Sequence, residues 1–258
     1  MNHPEPQMAG KQNAVDIAPL LTILNHFHPV SPAIESYLNQ HVDVYKVRKR
    51  KLLHKEGQPC EHIYFILKGA IRGFTREGQK DITTWINVEN QLVSSIFSLT
   101  YRAPSIENIQ ALENCELLIM SLDELEALYE RFPEANLIAR KLLQEYYADA
   151  ERRAFIARLT KAENRYRHFL IHHRHLVNRI PLKYIASYLG MTLETLSRVR
   201  KKFSVGLMLP GPTAVPIALP IHRDPAAVSI PPPIHRDPTA ASSPPPTHRD
   251  PTAGKYSS

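Results

Sequence analysis

The tightest constraint on what this 258-residue chain can fold into is the spacing inside PLKYIASYLGMTLETLSRVRKKF, residues 181–203. With Leu182 as position one, the small residue Ala186 stands fifth and Gly190 ninth. Positions four, eight, ten, fifteen and eighteen hold Ile185, Leu189, Met191, Leu196 and Val199. Two helices that cross closely need a small residue at the crossing and a residue tolerant of left-handed φ between them, so the pattern predicts a helix-turn-helix. Thr192 stands where the second helix should be N-capped. Chance amphipathicity in two consecutive helices is the competing account, and seven positions filled correctly at fixed offsets weigh against it. The residues left facing outward on the second helix are Thr192, Leu193, Glu194, Ser197, Arg198 and Lys201.

Charge points the same way. Between Lys161 and Phe203 there are ten Lys or Arg and two acids, a net +8, whereas the whole chain carries +7. A positive field concentrated on one small unit suits a polyanion, and a helix with a polar, basic outer row suits the major groove of double-stranded DNA. In that setting Arg198 would donate a bidentate pair to guanine, and Glu194 would accept from the cytosine amino group. Lys183, Arg200, Lys201 and Lys202 are placed to contact phosphates, which fix register without reading sequence. The plainer account of Glu194 is an ion pair with Arg198 four residues on. The two accounts are compatible.

Upstream, HIYFILKG (62–69), AIRGFTREG (70–78), KDITTWINV (80–88) and CELLIMS (115–121) are short β-branched or aromatic runs punctuated by Gly57, Gly69 and Gly78. They predict an antiparallel barrel or sandwich. Ser121 is placed to cap a helix over SLDELEALYERF, which Pro133 ends. Pro133 then opens a helix of roughly 25 residues. Its Ala139, Leu143, Tyr146 and Ala150 follow a 4-3-4 spacing, the seam of a two-helix contact. Leu137, Ile138 and Leu142 form a second stripe for the helix's own domain, so a homodimer is expected. The fold class is therefore α+β: an antiparallel barrel or sandwich, a long dimerisation helix and a helix-turn-helix. The divisions fall at 1–29 (N-terminal segment), 30–132 (strand-rich domain), 133–159 (long helix), 160–205 (helix-turn-helix) and 206–258.

The last segment is Pro-rich, with IHRDP, IHRDP and THRDP recurring every 13 residues, and is expected to be disordered. Translation of a tandem DNA repeat would produce such a tail, and so would selection for an interaction segment. His222, His235 and His248 recur with it, without the Cys or acid set that would complete a metal site. Cys60 and Cys115 cannot make a disulfide framework, no apolar run reaches the ~18 residues of a membrane span, and the amino terminus lacks a signal pattern. A cytoplasmic protein without membrane contact is expected. His168 and His172 have i, i+4 metal-pair spacing but no evident third ligand. No glycine-rich phosphate loop or G-x-S-x-G nucleophile motif is present, so an enzyme is not expected.

Taken together, LLHKEGQPCEHIYFILKGAIRGFT is similar to the first β-roll strands of cyclic-nucleotide-binding domains, and MTLETLSRVRKKF is similar to the recognition helix of the catabolite activator and FNR regulators. Over about 30–203 the chain resembles that CRP/FNR family. The resemblance implies a cytoplasmic transcription regulator, with RNA polymerase and a small-molecule effector as further partners. Glu194 and Arg198 fall on two of the family's base-reading positions, while Leu193 replaces its usual first arginine, so the preferred half-site should differ. Nucleotide-binding members carry a Gly-Glu-Leu turn and an Arg-Ser-Ala stretch. The corresponding segments here are SSIFS (94–98) and SIE (105–107), so Ser95 replaces the carboxylate and Ser105 the guanidinium. Two serines cannot supply a charge-assisted grip on a phosphate, and cyclic AMP is not the expected effector. Ser94, Ser95, Arg102 and Ser105 mark the candidate effector pocket, which either takes another small molecule or is a packed structural barrel. No cofactor or metal is expected, and an iron–sulfur cluster would need four cysteines. The alternative function is a small-molecule-binding or scaffold module that no longer reads DNA sequence.

Overall fold

The computed structural model describes residues 15–205. The Pro-rich repeats and their histidines lie outside those residues. The chain opens with two helices, α1 (Ala18–Phe27) and α2 (Pro32–His41). Each has proline in its first turn, where the absent N–H is no loss, and Ser31 caps α2 by accepting from Ile34 N–H. Then come β1 (Asp43–Val47), β2 (Leu52–His54), β3 (His62–Lys68), β4 (Ile71–Glu77), β5 (Lys80–Asn87) and β6 (Leu92–Val93). After α3 (Ile96–Tyr101) the roll closes with β7 (Asn108–Ala111) and β8 (Cys115–Ser121).

The strands form two four-stranded antiparallel sheets, ordered β1-β8-β3-β6 and β2-β7-β4-β5. Strand β8 shows why the register is fixed. Leu117 and Ile119 face the core between the sheets, while Leu118 and Met120 face the helical layer of α1, α2 and α4 (Leu122–Arg131). A slip of one residue would exchange the two sets. Gly73 on β4 permits the closest approach in the second sheet: a Cβ there would stand 2.1 Å from the Trp85 ring.

Ser121 caps α4 in a full capping box, its hydroxyl accepting from Glu124 N–H and the Glu124 carboxylate accepting from Ser121 N–H. Helix α5 (Pro133–Arg158) buries Ala135, Ile138 and Leu142 against the roll side. Tyr146, expected on the outward seam, turns inward instead. Its hydroxyl accepts from Leu92 N–H (2.7 Å) and donates to Leu92 O (3.1 Å). Burial raises its pKa, because a phenolate there would be desolvated. The exposed large apolar side chains of α5 are Leu143 (50%), where the 4-3-4 spacing puts one, Tyr147 (73%) in place of Tyr146, and Phe155 (55%).

Helix α6 (Ala162–His173), a single 3-10 turn at Arg174–Leu176, α7 (Leu182–Tyr188) and α8 (Leu193–Val205) complete the described chain. Their shared core contains Phe169, Leu176, Ile185, Leu189, Leu196 and Val199, and it runs on without a break into Ala70, Ile86, Val88 and Leu112 of the roll. The architecture is α+β, an antiparallel β core with helices, and among the described residues no helix is long and apolar enough to cross a membrane.

Candidate functional site

Helices α7 and α8 are joined by four residues, Leu189, Gly190, Met191 and Thr192. Gly190 adopts φ +61°, a left-handed conformation that costs a side chain with a Cβ about 1–2 kcal/mol. Met191 N–H then returns to the Ala186 carbonyl at 3.0 Å, and the Thr192 hydroxyl accepts from Thr195 N–H at 3.2 Å, opening α8. Ile185, Ala186, Leu189, Leu196 and Val199 are buried, while Met191 packs at the edge of the same core.

With that face sealed, Thr192, Leu193, Glu194, Ser197, Arg198, Lys201 and Lys202 are exposed along α8, and Lys183 is exposed on α7. The Glu194 carboxylate is held below its ordinary range by its own backbone N–H first, then by the Thr192 hydroxyl, with Arg198 the smallest contributor. Arg198 lies 3.5 Å from the Thr195 hydroxyl and remains extended toward solvent. Lys202 is engaged differently: its ammonium sits 2.9 Å from Glu163 on α6. Lys183 lies over the Tyr184 ring at 4.9 Å.

The helix pair is fastened to the roll through α7. The Ser187 hydroxyl accepts from Thr83 N–H (2.9 Å) and donates to the Asp81 carbonyl (3.0 Å), joining the edge strand β5. Behind it Arg72, 2% exposed, sends its guanidinium to Asp81 (2.7 Å), Thr83 (3.1 Å) and Gln110 (3.0 Å). The same guanidinium lies 4.0 Å from the Phe74 ring centre and 4.3 Å from that of Tyr184 on α7. Just before α7, Arg179 forks between two roll carboxylates, reaching Glu89 at 2.6 and 2.8 Å and Glu113 at 2.8 to 3.2 Å. The hydrogen bonds that Arg179 donates to Glu89 first, then to Glu113, raise its pKa. Burial alone would raise the Glu89 pKa, but the bonds from Arg179 and from Gly69 N–H together lower it. Arg179, Ser187 and Arg72 were not singled out in the sequence. Their partners lie 66 to 106 residues away, or on another strand, and no local spacing signals such a joint.

The second feature is a cavity of about 550 Å³ bounded by β3, β5, β6 and β8 and by helices α1 to α5. Ser94 and Arg102 line it; Ser95 and Ser105 do not. Ser95 is fully buried and Ser105 nearly so, their hydroxyl oxygens 2.9 Å apart, and Ser105 also accepts from Glu107 N–H at 3.1 Å. The two serines expected in the effector pocket therefore bond each other and lie outside the cavity lining. Wall residues with no sequence signal include Trp85, Tyr146 and Arg153.

The histidines on α6 form no metal cluster: among the described residues no group of three or more His, Cys, Asp or Glu is placed to hold an ion. Burial first, then Arg152 and His168, push His172 down to about 4, so it is neutral at physiological pH. Cys60 and Cys115 are buried free thiols, and burial raises the Cys115 pKa.

Comparison with known proteins places this geometry. The family model of the cyclic nucleotide-binding domain matches residues 45–132. Among solved structures, FixK2 from Bradyrhizobium japonicum is similar, with a TM-score of 0.55 at 20% identity over 63% of this chain and 84% of its own. The c-di-GMP-responsive global regulator CLP from Xanthomonas campestris gives 0.54 at 17% identity, covering 67% and 92%. A protein assigned to the Crp/Fnr family of transcriptional regulators from Eubacterium rectale gives 0.55 at 15%, covering 68% and 84%. At such identities the likeness is one of fold. No curated protein sequence matches the chain.

Proposed function

We propose that the chain is a dimeric DNA-binding transcription regulator of the CRP/FNR type, whose α7 and α8 act as a helix-turn-helix. The observation that carries this reading is the two-sidedness of α8. Leu196 and Val199 are sealed against α7 and α6, and the opposite face presents Thr192, Glu194, Ser197, Arg198 and Lys201 to solvent. That face has the dimensions and polarity of a helix entering the major groove. Two copies related by a twofold axis through α5 would set two such helices about 34–36 Å apart, on a palindromic site. In this reading 30–132 is the sensor, 133–159 the dimer helix and 160–205 the DNA-binding unit. Its partners are a duplex, a second copy and, on the bound promoter, RNA polymerase. The effector is not cyclic AMP, and no catalytic role is assigned. Effector binding would act by shifting the population between placements of α5 and the joint held by Arg179.

The test compares two exposed residues of α8. Arg198→Ala should lose about 1–3 kcal/mol of discrimination at one base pair per half-site. Lys201→Ala should instead weaken all duplexes alike and flatten the salt dependence by about one counterion. Both are read by competition binding over a panel of singly substituted duplexes at two or more salt concentrations. Equal, sequence-blind losses for the two variants would favour a scaffold that no longer reads sequence.

A further inference from the structure

The cavity beside α5 combines the size of a small-molecule site with polar wall groups most of whose donors and acceptors named below are already engaged. Trp85 Nε1 donates to Glu107 at 2.8 Å, Asn87 Nδ2 to the Leu92 carbonyl at 3.1 Å, and the Ser94 hydroxyl to the His62 carbonyl at 3.0 Å. The Tyr146 hydroxyl spends both its donor and its acceptor on Leu92, and Arg153 is paired with Asp149. A cyclic nucleotide would bring a phosphate, a ribose hydroxyl and a base edge to groups with little capacity to receive them. Polar groups buried without partners cost more than the apolar contacts around them return.

What the wall does offer is apolar surface, from Phe65, Leu92, Leu99, Leu118, Met120 and Leu142 among others. The exception is at the rim. Arg102 ends α3 in a left-handed conformation (φ 49°), its side chain 57% exposed, and pairs with Asp123 at 3.2 Å, whose own side chain is 89% exposed. Ion pairs so open to water contribute little, so another carboxylate can displace Asp123 at small cost. Exposed Glu126 lines the same cavity and disfavours a second negative charge on the guest.

We propose that this cavity binds an apolar small molecule ending in a single carboxylate, of the class of medium-chain fatty acids. The chain lies between the sheet and α5, and the carboxylate sits on Arg102. The inference names an effector class for the sensor proposed above and rests on that reading only for its consequence at DNA; the binding itself stands or falls separately.

Trp85 is the only tryptophan in the chain and lies in the cavity wall, so its emission reports occupancy directly. The full chain, without DNA, is titrated with decanoate below its micellar range, with 10-bromodecanoate, and with cyclic AMP. Decanoate should give a saturable change, and the bromo acid should quench at least twofold more, because bromine quenches on contact. Cyclic AMP should give neither. Ala139→Phe, which narrows the cavity from α5, should weaken decanoate at least tenfold, and Arg102→Ala at least fivefold. The bromo-acid comparison needs no variant and holds even if Ala139→Phe fails to fold. A Trp85 response to cyclic AMP, equal quenching by the two acids, or unchanged affinity in Arg102→Ala would overturn the proposal. Because no duplex is present, these outcomes are independent of whether α8 reads DNA.

Discussion

At the scale of single residues, the side chains that matter most are divided between those kept free and those spent on structure. Arg198 and Lys201 stand clear along α8, whereas Lys202, their neighbour in sequence, is tied to Glu163. Arg72 is spent entirely: a fully buried guanidinium is tolerable only because three side chains and two rings surround it. His172 carries a consequence for pH. Its pKa is about 4 in the folded chain against 6.5 for a free histidine, so between those values the unfolded chain takes up a proton that the folded chain refuses. The stability this histidine contributes is complete above about pH 6.5 and declines as pH falls toward 4. Thermal melts should therefore show a falling Tm below pH 6.5, with a shallower fall in His172→Gln. Some slope should persist, because burial and Arg179 also lower the His175 pKa. An identical pH profile in the variant would contradict the assignment.

At the scale of elements, α5 carries two opposed faces. Ala135, Ile138 and Leu142 bind the roll side, whereas Leu143 and Tyr147 present apolar surface that nothing among the described residues covers. Such a stripe on a 26-residue helix is the expected contact for a second copy. Leu143→Asp combined with Tyr147→Asp should weaken self-association at least tenfold in sedimentation velocity while leaving the circular dichroism unchanged. An unaltered dimer, or a wild-type chain that is monomeric at micromolar concentration, would remove α5 from that role. The legibility of these elements in the sequence varied for physical reasons. Strands β3, β4 and β5 were readable because glycines punctuate their β-branched and aromatic runs, β8 because it is a short apolar run, and Ser121 because a capping box is local. Helix α2 had its signal too, in Ser31, Pro32 and Glu35, but at ten residues its amphipathic face is too short to stand out. Tyr146 was misplaced because heptad spacing says nothing of a backbone hydrogen-bond pair waiting on β6, which turned the phenol inward and moved the outer stripe to Tyr147.

At the scale of the whole molecule, the helix pair and the roll share one hydrophobic core and one polar joint. The apolar positions of α7 and α8 follow from spacing alone, since they satisfy each other locally. The joint does not, because Arg179 meets Glu89 and Glu113 only after the roll has folded and brought two loops together. The same holds for the cavity: Ser95 and Ser105 occupy the places where a phosphate grip is expected, yet only the folded chain pairs them with each other and leaves Trp85 and Arg102 on the wall. The roll is joined to α7 through β5 and Ser187, so contact between the roll and the helix pair does not run through α5 alone. The most direct measurement is guanine N7 protection from methylation on a duplex selected by the full chain. Insertion of α8 predicts two protected major-groove patches one helical turn apart, with guanine protection reduced in Arg198→Ala. A tightly bound duplex with every guanine N7 still reactive would contradict it.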